Sequence, residues 1–148
     1  MKTVLQRVSE AEVVVDGNTI ASIGRGFLVL LGVVGTDTQA QAEALVDKIA
    51  KLRVFPDEDG KSNLSISDVE GEILVVSQFT ICADTKKGNR PSFTNAAPSE
   101  LANTLYTYFV EYCQSKFKKV ASGSFGADMK VKLVNDGPYT IILEVLYA

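Results

Sequence analysis

Phe27-Leu28-Val29-Leu30-Leu31-Gly32-Val33-Val34 is the longest apolar run of the chain, and its unbroken character sets the fold. A strand with one wet face alternates apolar and polar residues, whereas a run without polar interruption suits a strand covered on both sides. Residues 27–34 are therefore predicted as a central strand. The run is also far too short to span a membrane as a helix.

On the N-terminal side, residues 4–8 and 12–15 are rich in β-branched residues, and Asp16-Gly17-Asn18 supplies turn chemistry for a hairpin into residues 19–23. Gly24-Arg25-Gly26 then breaks the chain before the central strand. On the other side, Thr36 or Asp37 can cap a helix running to about Leu52, with Ala40, Ala44, Leu45, Ile49 and Leu52 at helical spacing. Pro56-Asp57-Glu58-Asp59-Gly60 is acidic, but it lacks the remaining ligands of a calcium loop and reads as a solvated turn. Residues 73–76 form the next buried strand, and residues 84–90 are polar and loop-like. Pro98-Ser99-Glu100 opens a second helix whose inward stripe is predicted to be Leu101, Leu105, Tyr108, Phe109 and Tyr112. Strands at 120–122, 129–134 and 139–146 complete the chain, the last two joined by a turn at Asn135-Asp136-Gly137-Pro138. The pattern predicts an α+β fold, a curved and mostly antiparallel sheet carrying two main helices.

The chain has 148 residues, of which 46% are hydrophobic, which suits one domain over residues 1–148. A net charge of −3 with 22% charged residues argues against a disordered tail and against a generally basic nucleic-acid binder. A local basic face remains open, because binding of phosphates depends on the cations beside them and not on the total. Lys86, Lys87 and Arg90 make one such cluster and Lys116, Lys118 and Lys119 another; either could equally be ordinary solvated charge. Cys82 and Cys113 form no disulfide framework and no metal-ligand pattern. No metal and no organic cofactor are expected. The first residues carry charge before any long apolar stretch, unlike a signal or transit peptide, so the expected location is cytoplasmic.

There is no histidine. Histidine is the only side chain that titrates unperturbed near neutrality, so any acid–base chemistry here must use hydroxyls, backbone amides, a perturbed carboxylate or lysine, or a group on the substrate. Two segments concentrate suitable groups. If Ser77-Gln78-Phe79-Thr80 continues a strand, Gln78 and Thr80 project together from one face and Ser77 and Phe79 from the other. That face could simply be the wet side of an edge strand. Thr80 could also be a nucleophile, although no base is evident to activate it. Cys82 lacks a positive partner and suits a buried apolar position better than a thiolate. Gly137-Pro138 has the composition of a plain turn.

Gln6-Arg7-Val8, Ser77-Gln78-Phe79-Thr80 with Ala83-Asp84-Thr85 and Arg90-Pro91-Ser92-Phe93, Phe125-Gly126-Ala127-Asp128-Met129, and Gly137-Pro138 together resemble the D-aminoacyl-tRNA deacylases, over nearly the whole chain. Tyr139 departs from the pattern, since valine usually follows the Gly-Pro pair. The resemblance implies a barrel-like fold and a two-fold homodimer. It implies a tRNA 3′ end as partner, with neither DNA nor membrane. Ser77, Gln78, Phe79 and Thr80 would floor a catalytic pocket for the aminoacyl-adenosine, with backbone amides near Phe79 and Thr80 holding the reacting carbonyl. Phe125 and Met129 would line the adenosine site, although Met129 equally suits a core position. Gly137 and Pro138, joined by a cis bond, would enter the partner's pocket and exclude L residues by collision, leaving D-amino acids and glycine as substrates. Arg7 would support that loop or else form a surface ion pair. The implied reaction is ester hydrolysis assisted by the substrate's own ribose hydroxyl. A non-catalytic module that binds the aminoacyl-tRNA end, and a general esterase using Cys82 or Thr80, are the alternatives.

Overall fold

β1 (Lys2–Val15) is the strand around which the sheet is assembled. A computed structural model describes residues 1–148. Along one edge β1 pairs antiparallel with β8 (Lys130–Glu144) through nearly its whole length. Along the other, its first half pairs with β3 (Gly26–Gly32) and its second half with β2 (Asn18–Ile23), both antiparallel. The sequence expectation of two short strands at 4–8 and 12–15 is thus corrected to one long strand with local irregularities between Gln6 and Glu10.

The sheet is mixed: the ladders that β1 makes are antiparallel, whereas β3 pairs in parallel with β6 (Glu72–Ser77), and β6 in parallel with β7 (Val120–Ser122). The connections explain this. Between β3 and β6 lie α1 (Gln39–Lys51) and a small hairpin of β4 (Phe55–Pro56) and β5 (Ser62–Leu64); α2 (Ser99–Gln114) lies between β6 and β7. Long crossovers of this kind are what parallel neighbours require. The mixed sheet curls into a nearly closed barrel: after β2, the Gly24 N–H donates to Glu72 Oε1 at 2.6 Å, and Lys119, preceding β7, pairs with Glu72 at 3.6 Å.

The central strand is covered on both faces, as its composition requires. Phe27, Val29 and Leu31 of β3 and Ile73 and Val75 of β6 pack toward the helices with Leu45, Ile49, Leu105 and Phe109. The alternate residues Leu28, Leu74 and Val76 join Val8, Val13 and Ile23 inside the barrel. Each such side chain stabilises by about 1.5–3 kcal/mol when fully buried, which is why the two parallel strands form the rigid centre.

The cap of α1 is Thr38, in place of the expected Thr36 or Asp37: its hydroxyl accepts from the Ala40 N–H, and the Gln41 side chain accepts from the Thr38 N–H at 2.8 Å. Asp37 is drawn inward instead, where it accepts from the Val34 N–H at 2.8 Å and from the Met1 amine at 2.7 Å. The inward stripe of α2 is Ala102, Leu105, Tyr106, Phe109 and Cys113. Tyr108 and Tyr112, expected to face the core, lean across to Glu43 and Asp47 of α1, because a phenol needs a polar partner for its hydroxyl. At the acidic turn, Asp57 Oδ1 accepts from the Asp59 and Lys61 N–H groups, so this carboxylate closes a hairpin.

Candidate functional site

The parallel strands β3 and β6 end side by side, and beyond their ends lies a cavity of about 560 Å³. Its floor is Leu31, Val76, Ser77, Gln78 and Phe79; one wall is Phe93 and the start of α2, and the other is Phe125, Met129 and Val131. Five residues singled out from the sequence therefore meet in one place, Ser77, Gln78, Phe79, Phe125 and Met129, whereas Thr80, expected in the floor with them, stands just outside the lining and reaches it only through its hydrogen bond with Gln78.

The floor is built differently from the sequence expectation. β6 stops at Ser77, and Phe79–Cys82 form one 3₁₀ turn in place of a continuing strand. Gln78 and Thr80 still come together, with Gln78 Nε2 donating to Thr80 Oγ1 at 2.6 Å: Gln78 is the extended residue just before the turn, φ −144°, and its long side chain folds onto the hydroxyl two residues on. The Gln78 N–H anchors the turn to the Leu31 carbonyl at 2.7 Å. The turn's own hydrogen bonds begin with Ile81 N–H to the Gln78 carbonyl, so it does not use the N–H groups of Phe79 and Thr80.

Gly32 lets the turn approach. A Cβ on Gly32 would lie 2.6 Å from Ile81 Cγ1 and 2.8 Å from Cys82 Sγ. Cys82 is only 8% exposed, and burial pushes its thiol above the ordinary value of 9.0. A group held in its neutral form beneath the turn is a poor nucleophile, so the esterase reading that uses Cys82 has no support in this geometry. No three His, Cys, Asp or Glu side chains gather as metal ligands.

Arg7, Gly137 and Pro138 do not line this cavity; they form a second element on the sheet edge. β8 does not turn back at Gly137-Pro138, and the expected hairpin is corrected to a wide bulge in one strand. Thr140 pairs with Gln6 and Asn135 with Val8, leaving residues 136–139 opposite Arg7 alone. The neck is closed by Asn135, whose Nδ2 donates to Thr140 Oγ1 at 3.1 Å and whose Oδ1 accepts from the Tyr139 N–H at 3.0 Å. Both halves of β8 hold on to β1, and that pairing outweighs the local preference of Asn-Asp-Gly-Pro to reverse the chain.

The Gly137-Pro138 bond is cis, and Gly137 has φ +134°, a backbone conformation suited to glycine. Arg7 fills the hollow of the bulge. Its side chain is 11% exposed; Nε donates to the Asp136 carbonyl at 3.0 Å and Nη1 to the Val54 carbonyl at 2.5 Å. The guanidinium also lies over the Tyr139 ring, 4.6 Å from its centroid. Arg7 thus braces the loop through carbonyls, and its contact with the Asp136 carboxylate at 3.9 Å is secondary. Tyr139, the departure from the usual valine, is half-buried against this cation.

Two contributors were not singled out from the sequence. Tyr106, buried in α2, donates its hydroxyl to the Val75 carbonyl at 3.1 Å, and its ring meets Phe125 at 5.9 Å, so it ties a cavity wall to the central strand. Its spacing with Ala102, Phe109 and Cys113 was a visible signal. Phe93 packs edge-on against Phe79 with centroids 5.0 Å apart at the rim; no local pattern marks that contact, which depends on how residues 84–93 fold back.

Comparison with known proteins extends the resemblance seen in the sequence. Residues 4–144 match the family profile of D-Tyr-tRNA(Tyr) deacylase. The chain is 54% identical over 144 residues to the D-aminoacyl-tRNA deacylase of Thermotoga petrophila, covering 97% of each chain. It is 55% identical to that of Dehalococcoides mccartyi, covering 97% of this chain and 94% of the other. A solved structure described as the c-Myc DNA Unwinding Element Binding Protein superposes with a TM-score of 0.94 at 47% identity, covering 99% of this chain and 100% of that one. A probable eukaryotic D-amino acid tRNA deacylase shares the fold with a TM-score of 0.85 at 16% identity, covering 97% of this chain and 98% of the other. The chain belongs to the D-Tyr-tRNA(Tyr) deacylase family, a family of hydrolytic enzymes.

Proposed function

We propose that the protein hydrolyses the ester joining a D-amino acid, or glycine mischarged on tRNA, to the terminal adenosine of tRNA, and that it does so in the cytoplasm as a two-fold homodimer. The observation that carries this reading is the 3₁₀ turn that begins at the cavity floor with Phe79, whose Phe79 and Thr80 N–H groups the turn itself does not use. Water adds to the carbonyl carbon, and the negative charge gathering on the carbonyl oxygen is met by these donors. The ribose oxygen leaves with a proton relayed through its neighbouring hydroxyl. Free amino acid and tRNA are the products.

Gln78 and Thr80, hydrogen-bonded to each other, position the water and that hydroxyl, and Ser77 completes the floor. Thr80 is not required as a nucleophile. Phe125 and Met129 pack against the adenine, an apolar wall suited to a flat base. A chain without histidine can run this reaction because the substrate supplies the hydroxyl and the enzyme supplies position.

Selection against L residues falls to Gly137 and Pro138. They are exposed and lie apart from their own chain's cavity, so they can act as a wedge only in the cavity of a second copy. The edge strand β8 carries exposed Val134 and Ile142, apolar surface that a partner would cover. Main-chain atoms braced by Arg7 cannot rotate aside for an L side chain, whereas a D side chain points elsewhere. Metal ions and organic cofactors take no part in this reading, and neither DNA nor a membrane is its partner.

Incubating purified protein with excess D-Tyr-tRNA tests the proposal. Release of free tyrosine over many turnovers is expected, whereas a binding module would protect the ester. Substrate with a 2′-deoxy terminal adenosine should react far more slowly, and full-speed hydrolysis of it would eliminate the substrate-assisted route.

A further inference from the structure

The two basic clusters of the sequence have different surroundings in the fold. Lys116 pairs with Asp47, Lys118 with Glu70 and Lys119 with Glu72, so each of these charges already has a carboxylate partner. Lys86, Lys87 and Arg90 form no ion pair. They sit on one exposed loop whose neck is fixed by reciprocal backbone hydrogen bonds between Asp84 and Ser92, at 2.8 and 2.9 Å. The Asp84 carboxylate is spent on the Lys86 N–H at 3.0 Å, which holds the start of the loop.

The same loop leads into Phe93. Phe93 is 37% exposed and Phe79 is 54% exposed, yet their rings meet at 70° beside the cavity. Two large rings left open to water at the mouth of a site are out of place unless something flat covers them. Unpaired cations and an exposed ring on one short segment are the two components of a single-strand nucleic-acid site: charges for the phosphates and a face for a base.

We propose that residues 84–93 clamp the single-stranded end of the tRNA just before its terminal adenosine, with Lys86, Lys87 and Arg90 on the phosphates and Phe93 as the stacking face for the preceding base. This rests on the deacylase reading for the identity of the nucleic acid. It also explains how an acidic protein holds a polyanion, since only the local cations release counterions on binding.

The test compares two triple variants, K86Q/K87Q/R90Q and K116Q/K118Q/K119Q, on D-aminoacyl-tRNA and on D-aminoacyl-adenosine, which ends at the terminal nucleotide. The first triple is expected to raise KM for the tRNA substrate at least tenfold, and its binding should lose salt sensitivity, with the log–log slope flattening by about 2 for three lost single-strand contacts. Activity on the adenosine ester should be unchanged, and the second triple should leave both substrates unaffected. Phe93→Leu, which keeps the apolar wall and removes the stacking face, should raise KM about tenfold for the tRNA substrate and less for the adenosine ester. Fluorescence anisotropy with a 3′-terminal RNA oligonucleotide reads the clamp directly, even if no ester is hydrolysed. Wild-type inactivity on both esters would therefore defeat the deacylase reading alone. Equal oligonucleotide affinity for the two triples, or equal losses on both esters, would overturn the clamp.

Discussion

The turn at Phe79–Cys82 and the bulge at residues 136–139 both interrupt a strand, but they are held by opposite means. The turn ends its strand and is pressed against the core, with Gly32 opening the space and Cys82 buried beneath. The bulge leaves a strand that resumes its pairing with β1 at a shifted register, and it is gripped by a single arginine from the strand beside it. A rigid floor needs packing from below. A projecting bulge has nothing below it, so its shape must come from hydrogen bonds to its own backbone.

Substitution at Gly32 should separate the two most strongly. Gly32→Ala puts a methyl where Ile81 and Cys82 already stand, and overpacking of this kind costs about 1–3 kcal/mol. Urea melts should show that loss, and kcat should fall more than tenfold as the floor shifts, while the ratio of D to L activity stays as it was. Arg7→Ala should do the reverse. It leaves the Asp136 and Val54 carbonyls without their donor, at a cost of about 1–3 kcal/mol, and it frees the wedge. Hydrolysis of the D ester should persist while discrimination against the L ester collapses, as measured by paired kcat/KM values. If both variants lost activity and discrimination together, the two elements would not be separate devices.

A smaller effect is expected at Thr80. Removing its hydroxyl takes one hydrogen bond from Gln78, worth about 0.5–1.5 kcal/mol, so Thr80→Ala should retain kcat within about tenfold. Complete loss would make Thr80 the nucleophile and the turn a chemical, not a positional, device.

The smallest effect concerns the thiol under the floor. Burial raises the Cys82 pKa above 9.0, so below about pH 9 the folded and unfolded chains both keep the proton and stability does not depend on it. Above that pH the unfolded chain releases a proton that the folded chain retains, and stability falls as pH rises. Cys113, which burial pushes up to about 12, acts in the same direction. Urea midpoints from about pH 8 to about pH 11 should decline less steeply in Cys82→Ala than in wild type. An identical slope would mean that the space under the turn is wet.

How much of this could be read in the sequence follows from the range of the forces involved. Residues 27–34 announce a doubly covered strand because composition records burial directly, and both helices are visible in local spacing, but the cap of α1 and the turning of Tyr108 and Tyr112 toward α1 depend on tertiary partners. The parallel pairing of β3 with β6 was missed, since strand direction depends on crossovers and not on the strands themselves. Gln78 and Thr80 were rightly placed together for the wrong reason, a strand face where a 3₁₀ turn exists. Asn-Asp-Gly-Pro reads locally as a reversal, and only the ladder to β1 on both sides shows that the chain goes straight on. The residues of the cavity wall were legible one by one, but the Phe79–Phe93 contact spans a folded-back loop that no short pattern encodes.

The detour in β8 has a consequence for engineering. Because both flanks are secured to the same neighbour, residues can be added to the segment or exchanged at Asp136, Pro138 and Tyr139 without sliding either ladder, with Gly137 kept for its positive φ, so the reach of this projection is adjustable while the barrel is left alone. Libraries confined to that segment would sample, under the proposed role of the projection, how large an amino acid is admitted.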